Sequence, residues 1–392
     1  MRKNMIVTLK DITTKITKGT TPTSIGCKFE KSGINFIKSE SLVDGKTIDK
    51  SKFAFISERT HERLKRSQIE ENDILFSMAG MFLGKTGIAT AEVVPANTNQ
   101  AVAIIRVDAT KANYEYVYYY LNQKSVIHTI NTTSAQSAQP NINLKQIGKI
   151  KINLPDRKKQ DQIVSLLSAI DLKISNNVEI NDNLEQQAAA LFSSLYNRSN
   201  TEVRYTDLIQ ILGGGTPKTG ETAYWNGNIA FFTPKDVGTP YTFITEKTIT
   251  EEGLSHCNSR LYPVNTVFVT ARGTVGKVGL SGVPMAMNQS CYALVGKETH
   301  QLLVYFYTLK AVDRLKHKAS GAVFDAITTR DFDSEQIMKL SDDDAKAFLC
   351  VAEPMFQEIL NNSIENLRLS TLRDFLLPKL MSGKIDVSSV QL

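Results

Sequence analysis

The chain has 392 residues, 42% of them hydrophobic and 22% charged, with a formal net charge of +6. That is an ordinary globular composition, with length for two domains that each bury a core. No run of about 18 apolar residues is present, which excludes a helical membrane span, and four scattered cysteines without CxxC pairing (Cys27, Cys257, Cys291, Cys350) predict free thiols.

Met1-Arg2-Lys3-Asn4-Met5 runs into alternating residues with no apolar core, so no signal peptide is expected and a cytoplasmic location is. Residues 1–154 read as mixed and β-rich. Short runs such as Gly33–Ile37, Ile74–Met78 and Ala101–Ile105 are separated by Gly, Asn, Asp and Pro, the punctuation of strands and turns. One helix is predicted from Tyr114 to Ile130, where Tyr116, Val117, Tyr120, Leu121, Ile127 and Ile130 approximate a helical face.

From Pro155 to Arg198 the texture changes. After Pro155 there is neither Gly nor Pro, and Ile163, Ile170, Asn177, Leu184 and Leu191 recur every seven residues. Leu167, Ile174, Asn181, Ala188 and Leu195 recur likewise, four residues on. Two such series form an a/d seam, the pattern of a coiled coil about 64 Å long. Asn177 and Asn181 fall on the seam at mid-length, where a buried asparagine weakens the pairing but fixes register and partner number.

Residues 199–340 repeat the β-rich texture, again with a helix-like stretch near Leu302 to Lys318. Residues 341–381 repeat the long helix with a less regular seam through Leu349, Phe356, Ile359, Leu360, Leu367 and Leu376. Pro354 is expected to kink or restart it, and Pro378 with Gly383 to end it before a tail at 382–392. Neither long helix has an evident partner in its own half, so the two are expected to pair with each other, antiparallel. The expected fold is α+β: two pseudo-symmetric β-rich domains joined by two long helices.

Charge follows the same division. Residues 1–155 hold 22 basic and 13 acidic side chains, and residues 199–340 hold 14 and 13. The helical stretches are neutral to acidic, with 5 against 6 over 156–198 and 4 against 7 over 341–381. Surplus positive charge on the globular parts suits a polyanion, and the helices suit a protein partner.

Several motifs could carry chemistry. Ala79-Gly80-Met81-Phe82-Leu83-Gly84-Lys85-Thr86 satisfies a relaxed phosphate-loop pattern, but Gly87-Ile88-Ala89-Thr90 follows, β-like, where a helix N-terminus is required. Its counterpart Gly276-Lys277-Val278 lacks the hydroxyl, so both are read as hairpins presenting Lys85 and Lys277 to phosphates or base edges. Asp156 and Asp171-Leu172-Lys173 resemble a nuclease pattern, yet lie about 22 Å apart on one helix and cannot share a metal ion. The five histidines are dispersed, and no metal site or catalytic residue is assigned. The candidates are therefore binding residues. Arg272, beside Gly273, can reach guanine or phosphate, while the first half has Ala79 there. Asn99-Gln100 and Asn288-Gln289 can pair with adenine or cap turns. Lys218 joins them, and the clusters Arg63-Lys65-Arg66, Lys145-Lys149-Lys151 and Arg314-Lys316-Lys318 are phosphate candidates. Trp225 is assigned to core packing.

In its duplicated motifs the chain resembles the specificity subunit of type I restriction-modification enzymes over essentially its whole length. The resemblance rests on Gly215-Thr216-Pro217 with Tyr224-Trp225-Asn226-Gly227, on Ala271 through Gly279, and on Asn288-Gln289. It rests also on Ile152-Asn153-Leu154-Pro155 opening a long helix and on Leu376 through Gly383. It implies two target-recognition domains, each reading half of a split double-stranded DNA sequence, and an antiparallel coiled coil that sets the spacer. It implies docking of two adenine-methyltransferase subunits on the helices, a motor-nuclease subunit for cleavage, and no catalysis by this chain. S-adenosylmethionine, ATP and Mg would sit on the partner subunits. Ser77-Met78-Ala79-Gly80, with an extra residue before Gly84, and Leu340-Ser341-Asp342 depart from the family pattern. A recognition subunit of a methylation-only system, a phosphate-loop nucleotide binder and a coiled-coil adaptor remain as alternatives.

Overall fold

A computed structural model describes residues 5–43, 45–134, 141–238, 240–318 and 326–387; the last five residues of the expected tail lie outside them. The chain divides into two compact units, one of residues 1–172 with 369–392 and one of residues 173–368.

In the first unit a four-stranded antiparallel sheet runs Thr13–Lys18, Val102–Val107, Ile74–Ser77, Thr86–Ile88. The middle strand shows why it forms. Ile74 and Phe76 pack into one core with Tyr116 and Leu121, whereas Leu75 joins Ile37 and Ala89 on the other side. Alternation with period two buries both faces of one apolar run. A second sheet runs Ala54–Ile56, Ile34–Ile37, Ala96–Thr98, Gln68–Ile69, with its central pair parallel. Met5–Thr8 and Lys151–Leu154 form a separate antiparallel ribbon.

The second unit repeats this plan. Its larger sheet runs Ile209–Gly213, Cys291–Gly296, Val267–Thr270, Val278–Ser281, Tyr241–Thr242. Val267 and Val269 face one core and Phe268 the other. The smaller sheet runs Lys247–Ile249, Trp225–Phe232, Met285–Met287, again with one parallel pair. Thr201–Arg204 pairs with Gln336–Lys339. The turn entering the central strand is duplicated too: Asn72 and Asn265 have φ of 69° and 67°, a left-handed geometry that asparagine tolerates better than other non-glycine residues.

Two expectations about local structure need correction. The helix predicted over 114–130 is two helices, Tyr114–Leu121 and Lys124–Ser134. Asn122 interrupts it because its amide turns back to the Tyr118 carbonyl (2.8 Å) and to the Thr86 hydroxyl (2.7 Å). Gln301–Lys318 has no such residue and stays continuous. The second long helix runs Asp342–Met381 straight through Pro354, so the lost hydrogen bond there does not restart it. Gly383 (φ 75°) ends it, with backbone bonds from Gly383 to Leu380 and from Lys384 to Lys379, a left-handed cap.

The first long helix, Arg157–Arg198, contributes to both units, as does the second. Inside the first unit Ile163, Val164 and Leu167 share a core with Leu377, Leu380 and Met381, and Asp171 accepts from Arg373 at 2.9 Å. Inside the second, Asn177 meets Glu365 and Asn366, Asn181 meets Asn362 and Ser363, and Arg198 meets Asp344. Rising numbers on one helix meet falling numbers on the other, so within each unit the pairing is antiparallel. Ile170 and Leu195 are buried, and Ile174, Leu184 and Leu191 half-buried. Phe356 and Leu360 join the domain core around Phe192 and Phe306. Leu367 is 37% exposed, because Glu365 and Asn366 take the positions opposite Asn177.

Candidate nucleic-acid interface

In each unit, strand register gathers the candidate residues at one end of the larger sheet. Ser77 lies opposite Val102, and Lys18 opposite Ala103. The hairpin tip 78–85, the Asn99–Ala101 turn and the Gly19–Pro22 segment therefore emerge together. In the second unit Thr270 lies opposite Cys291 and Gly213 opposite Tyr292, which brings together the tip 271–277, the Asn288–Ser290 turn and Gly214–Lys218.

The hairpin tips share a backbone plan. The Ser77 and Thr270 amides donate to the Lys85 and Lys277 carbonyls at 2.8 and 2.9 Å, and the Gly84 and Gly276 amides donate back at 3.0 and 2.8 Å. Gly84 and Gly276 have φ of 85° and 73°, which explains a glycine before each lysine. Lys277 is exposed and Lys85 half-buried. Thr86, the would-be phosphate-loop hydroxyl, is buried, bonded to Asn122 and followed by strand rather than helix. That geometry is incompatible with a phosphate loop.

Ala79 and Arg272 occupy equivalent places, each bridged to the chain that returns after the helical part, at Asn141 and Ala326 respectively. The Arg272 guanidinium is exposed, and its backbone amide donates to Ser290 at 3.3 Å, one residue from Gln289. Lys218 is exposed as well, with its carbonyl held by the Trp225 indole N–H at 3.2 Å. Trp225 is only half-buried, edge-on to Phe231 at 5.5 Å. It packs as expected, and it also braces the Lys218 loop.

The Asn-Gln pairs divide their labour. Asn99 and Asn288 each accept, through Oδ1, the backbone amide two residues on, both at 3.0 Å. They shape the turn. Gln100 and Gln289 are exposed, and each is held by a threonine hydroxyl, Thr21 and Thr216 respectively. The same Thr-Pro and Asn-Gln dipeptides thus meet twice. Thr21 and Thr216 are not among the candidates read from sequence, although their recurrence ahead of proline in both halves carries the signal. Close backbone approach accompanies the contact: a Cβ on Gly19 or Gly214 would fall 1.8 or 2.2 Å from the carbonyl oxygen of Thr98 or Asn288.

The basic clusters separate into one paired with a buried carboxylate and two that are exposed. Arg314 and Lys318 both pair with Glu335, which is fully buried, and Lys316 donates to the Gly276 carbonyl at 2.7 Å. That cluster holds the fold together, because a buried carboxylate needs cationic partners. Arg63, Lys65 and Arg66 are exposed, as are Lys145, Lys149 and Lys151. The nuclease-like pair is structural too: Asp156 caps its helix through the Lys159 amide at 3.0 Å, and Asp171 accepts from Tyr119 at 2.5 Å and from Arg373.

The sequence profile of the type I restriction modification DNA specificity domain matches residues 1–186 and again residues 197–339. The specificity subunit of the type I restriction enzyme HindI, from Haemophilus influenzae, is 22% identical over 82% of this chain and 88% of its own length. A putative MjaX specificity subunit from Methanocaldococcus jannaschii is 23% identical over 97% of this chain and 93% of its own. The crystal structure of an S subunit of a type I restriction-modification system from M. genitalium superposes with a TM-score of 0.58 at 15% identity, over 96% of this chain and 95% of that one, which is likeness of fold. With the domain profile matched once in each half of a duplicated fold, the chain belongs to the type I restriction modification DNA specificity family.

Proposed function

We propose that this specificity subunit, whose partners are DNA and the other subunits of its restriction-modification complex, reads a bipartite DNA target with one half assigned to each β-rich domain. Residues 1–154 and 199–340 are the two recognition domains, residues 155–198 and 341–381 the paired helices, and 382–392 a tail. The observation that carries this reading is the recurrence of the same exposed constellation, a hairpin tip beside a threonine-held glutamine, in two domains that each match the specificity profile. In the first domain Lys85, Asn99 and Gln100 form the contact surface. In the second, Lys218, Arg272, Lys277, Asn288 and Gln289 do. Lysines position the protein on phosphates, Asn99 and Asn288 shape turns, and Arg272 with the two glutamines reaches base edges. Ile163, Leu167, Ile170, Ile174, Asn177, Asn181, Leu184, Leu191, Leu195, Phe356, Leu360 and Leu367 hold the helices in place, and the helices so held set the spacer and dock two methyltransferase subunits on their exposed faces. A motor-nuclease subunit completes the restriction complex.

Binding of duplex DNA to the assembled complex tests this. Arg272→Ala should cost about 1–3 kcal/mol against the cognate sequence and relax preference in one half-site only. Lys277→Ala should weaken binding to all sequences and reduce the salt slope by about one. Unchanged affinity and salt slope for both variants would refute the assignment of this end of the domain to DNA.

A further inference from the structure

The two domains differ most in charge at a place where their backbones agree. Ser57 and Thr250 each cap a short helix, Glu58–Arg63 and Glu251–Ser255, by accepting a backbone amide through the hydroxyl. Downstream, Ile69 pairs with Ala96 and Tyr262 with Met285 in the same sheet position. Both anchors give one spacing, so Arg59, Arg63, Lys65 and Arg66 stand where the second domain has Glu252, His256, Asn258 and Ser259. Residues 57–67 hold four Arg or Lys and two Glu, a net +2, whereas residues 250–260 hold one Arg and two Glu, a net −1.

These cations lie beside the candidate interface. Arg66 donates to the Thr20 hydroxyl at 3.1 Å, and the next residue, Thr21, is the one that holds Gln100. Arg63 donates to the Ile25 carbonyl at 3.1 Å and to the Cys27 sulfur at 3.1 Å, which keeps the segment following Pro22 against the short helix. All four side chains are exposed, and among the described residues none pairs with a carboxylate. Four cations without an ion-pair partner, against the exposed Glu58 and Glu62, leave a net +2 at one edge, which raises the local potential and favours a polyanion. In the second domain the positive charge instead stands on the hairpin, as Arg272 and Lys277.

We propose that residues 57–67 form a phosphate clamp found only in the first domain, with Lys65 and Arg66 gripping the DNA backbone beside the bases that face Gln100. The two domains then hold their half-sites by different elements: the first through the turn after a short helix, the second through its hairpin tip. This inference rests on the DNA-reading function proposed above. It adds an asymmetry, because salt-dependent affinity comes disproportionately from the first domain while Arg272 places more base reading in the second.

The test uses the subunit assembled with its methyltransferase partners and a duplex carrying the methylated target, with affinity measured across salt concentrations. The double variant Lys65→Gln/Arg66→Gln should make the slope of log K against log salt shallower by about two, at roughly 0.9 per phosphate contact, and should leave the methylated sequence unchanged. Arg66→Lys, which keeps the charge and gives up the geometry of the Thr20 bond, should retain the slope. Asn258→Lys should steepen it by about one. A double variant with a wild-type slope overturns the clamp, and so does an Arg66→Lys variant as impaired as Arg66→Gln, since bracing rather than charge would then be the role. A wild-type complex that does not bind DNA removes the function and the clamp together, whereas a steep wild-type slope unchanged in the variants removes the clamp alone.

Discussion

Replacing Asn177 by leucine and by aspartate should move stability in opposite directions. Asn177 is fully buried between the two long helices, its amide donating to Glu365 at 2.7 Å and to Asn366 at 2.9 Å. Among the described residues its own carbonyl oxygen has no partner, and an unsatisfied buried acceptor costs about 1–3 kcal/mol. Leucine removes that cost and adds about 1.5–3 kcal/mol of apolar burial. It forfeits a neutral amide bond worth about 1 kcal/mol. The bond to Glu365 weighs little, because that carboxylate is exposed and keeps Lys173 at 3.1 Å. These terms sum to an upper-bound gain of about 1.5–5 kcal/mol for Asn177→Leu. Aspartate instead buries a charge facing the carboxylate of Glu365, so Asn177→Asp should destabilise the pairing by at least about 2 kcal/mol at neutral pH and less near pH 4. Urea unfolding followed by far-UV circular dichroism reads both. If Asn177→Leu loses about 1 kcal/mol or more, the asparagine is a net stabiliser, and the view that it trades stability for register is refuted.

Two further outcomes follow from buried groups. Burial holds the Glu185 carboxyl above the usual carboxylate range, with the Tyr305 hydroxyl at 3.1 Å opposing that shift. A raised folded-state pKa contributes stability that is complete below the unfolded value and is lost as pH rises through the folded one. Glu185→Gln, which keeps an acceptor for Tyr305, should therefore melt higher than wild type at pH 7–8 and equally near pH 4; a pH-independent difference in melting temperature contradicts this. Cys291 is fully buried and its thiol is pushed up to about 12, chiefly by burial, whereas Cys350 is exposed. A thiol reagent at pH 8 should label Cys350 in the folded chain and Cys291 only after unfolding, as peptide mapping would show. Equal labelling of both would contradict it.

Features set by local pattern were legible in the sequence. The heptads placed Ile163, Leu167 and Leu195 in the helix pairing, and duplicated Asn-Gln dipeptides placed two equivalent turns. Features set by long-range contact were not. Nothing local showed that Asn122 would turn its amide onto Thr86 and split a helix, since periodicity continues through that point. Pro354 signalled a break, but packing of the flanking Ala352 and Phe356 into the domain core outweighs one lost hydrogen bond. Arg314 and Lys318 read as a surface cluster because their partner, Glu335, is 17 or more residues away. The threonine–glutamine contact joins segments 73 and 79 residues apart, and only the comparison of two halves exposes it.

Mapping of methylated adenines in cells carrying the complete system, with wild-type subunit and with Arg272→Ala, reads out which domain specifies which half of the target. Wild type should give a split motif of two unlike halves, with Arg272→Ala relaxing the half read by the second domain and leaving the other half and the spacer intact. A contiguous motif, or a motif altered equally in both halves, would contradict it.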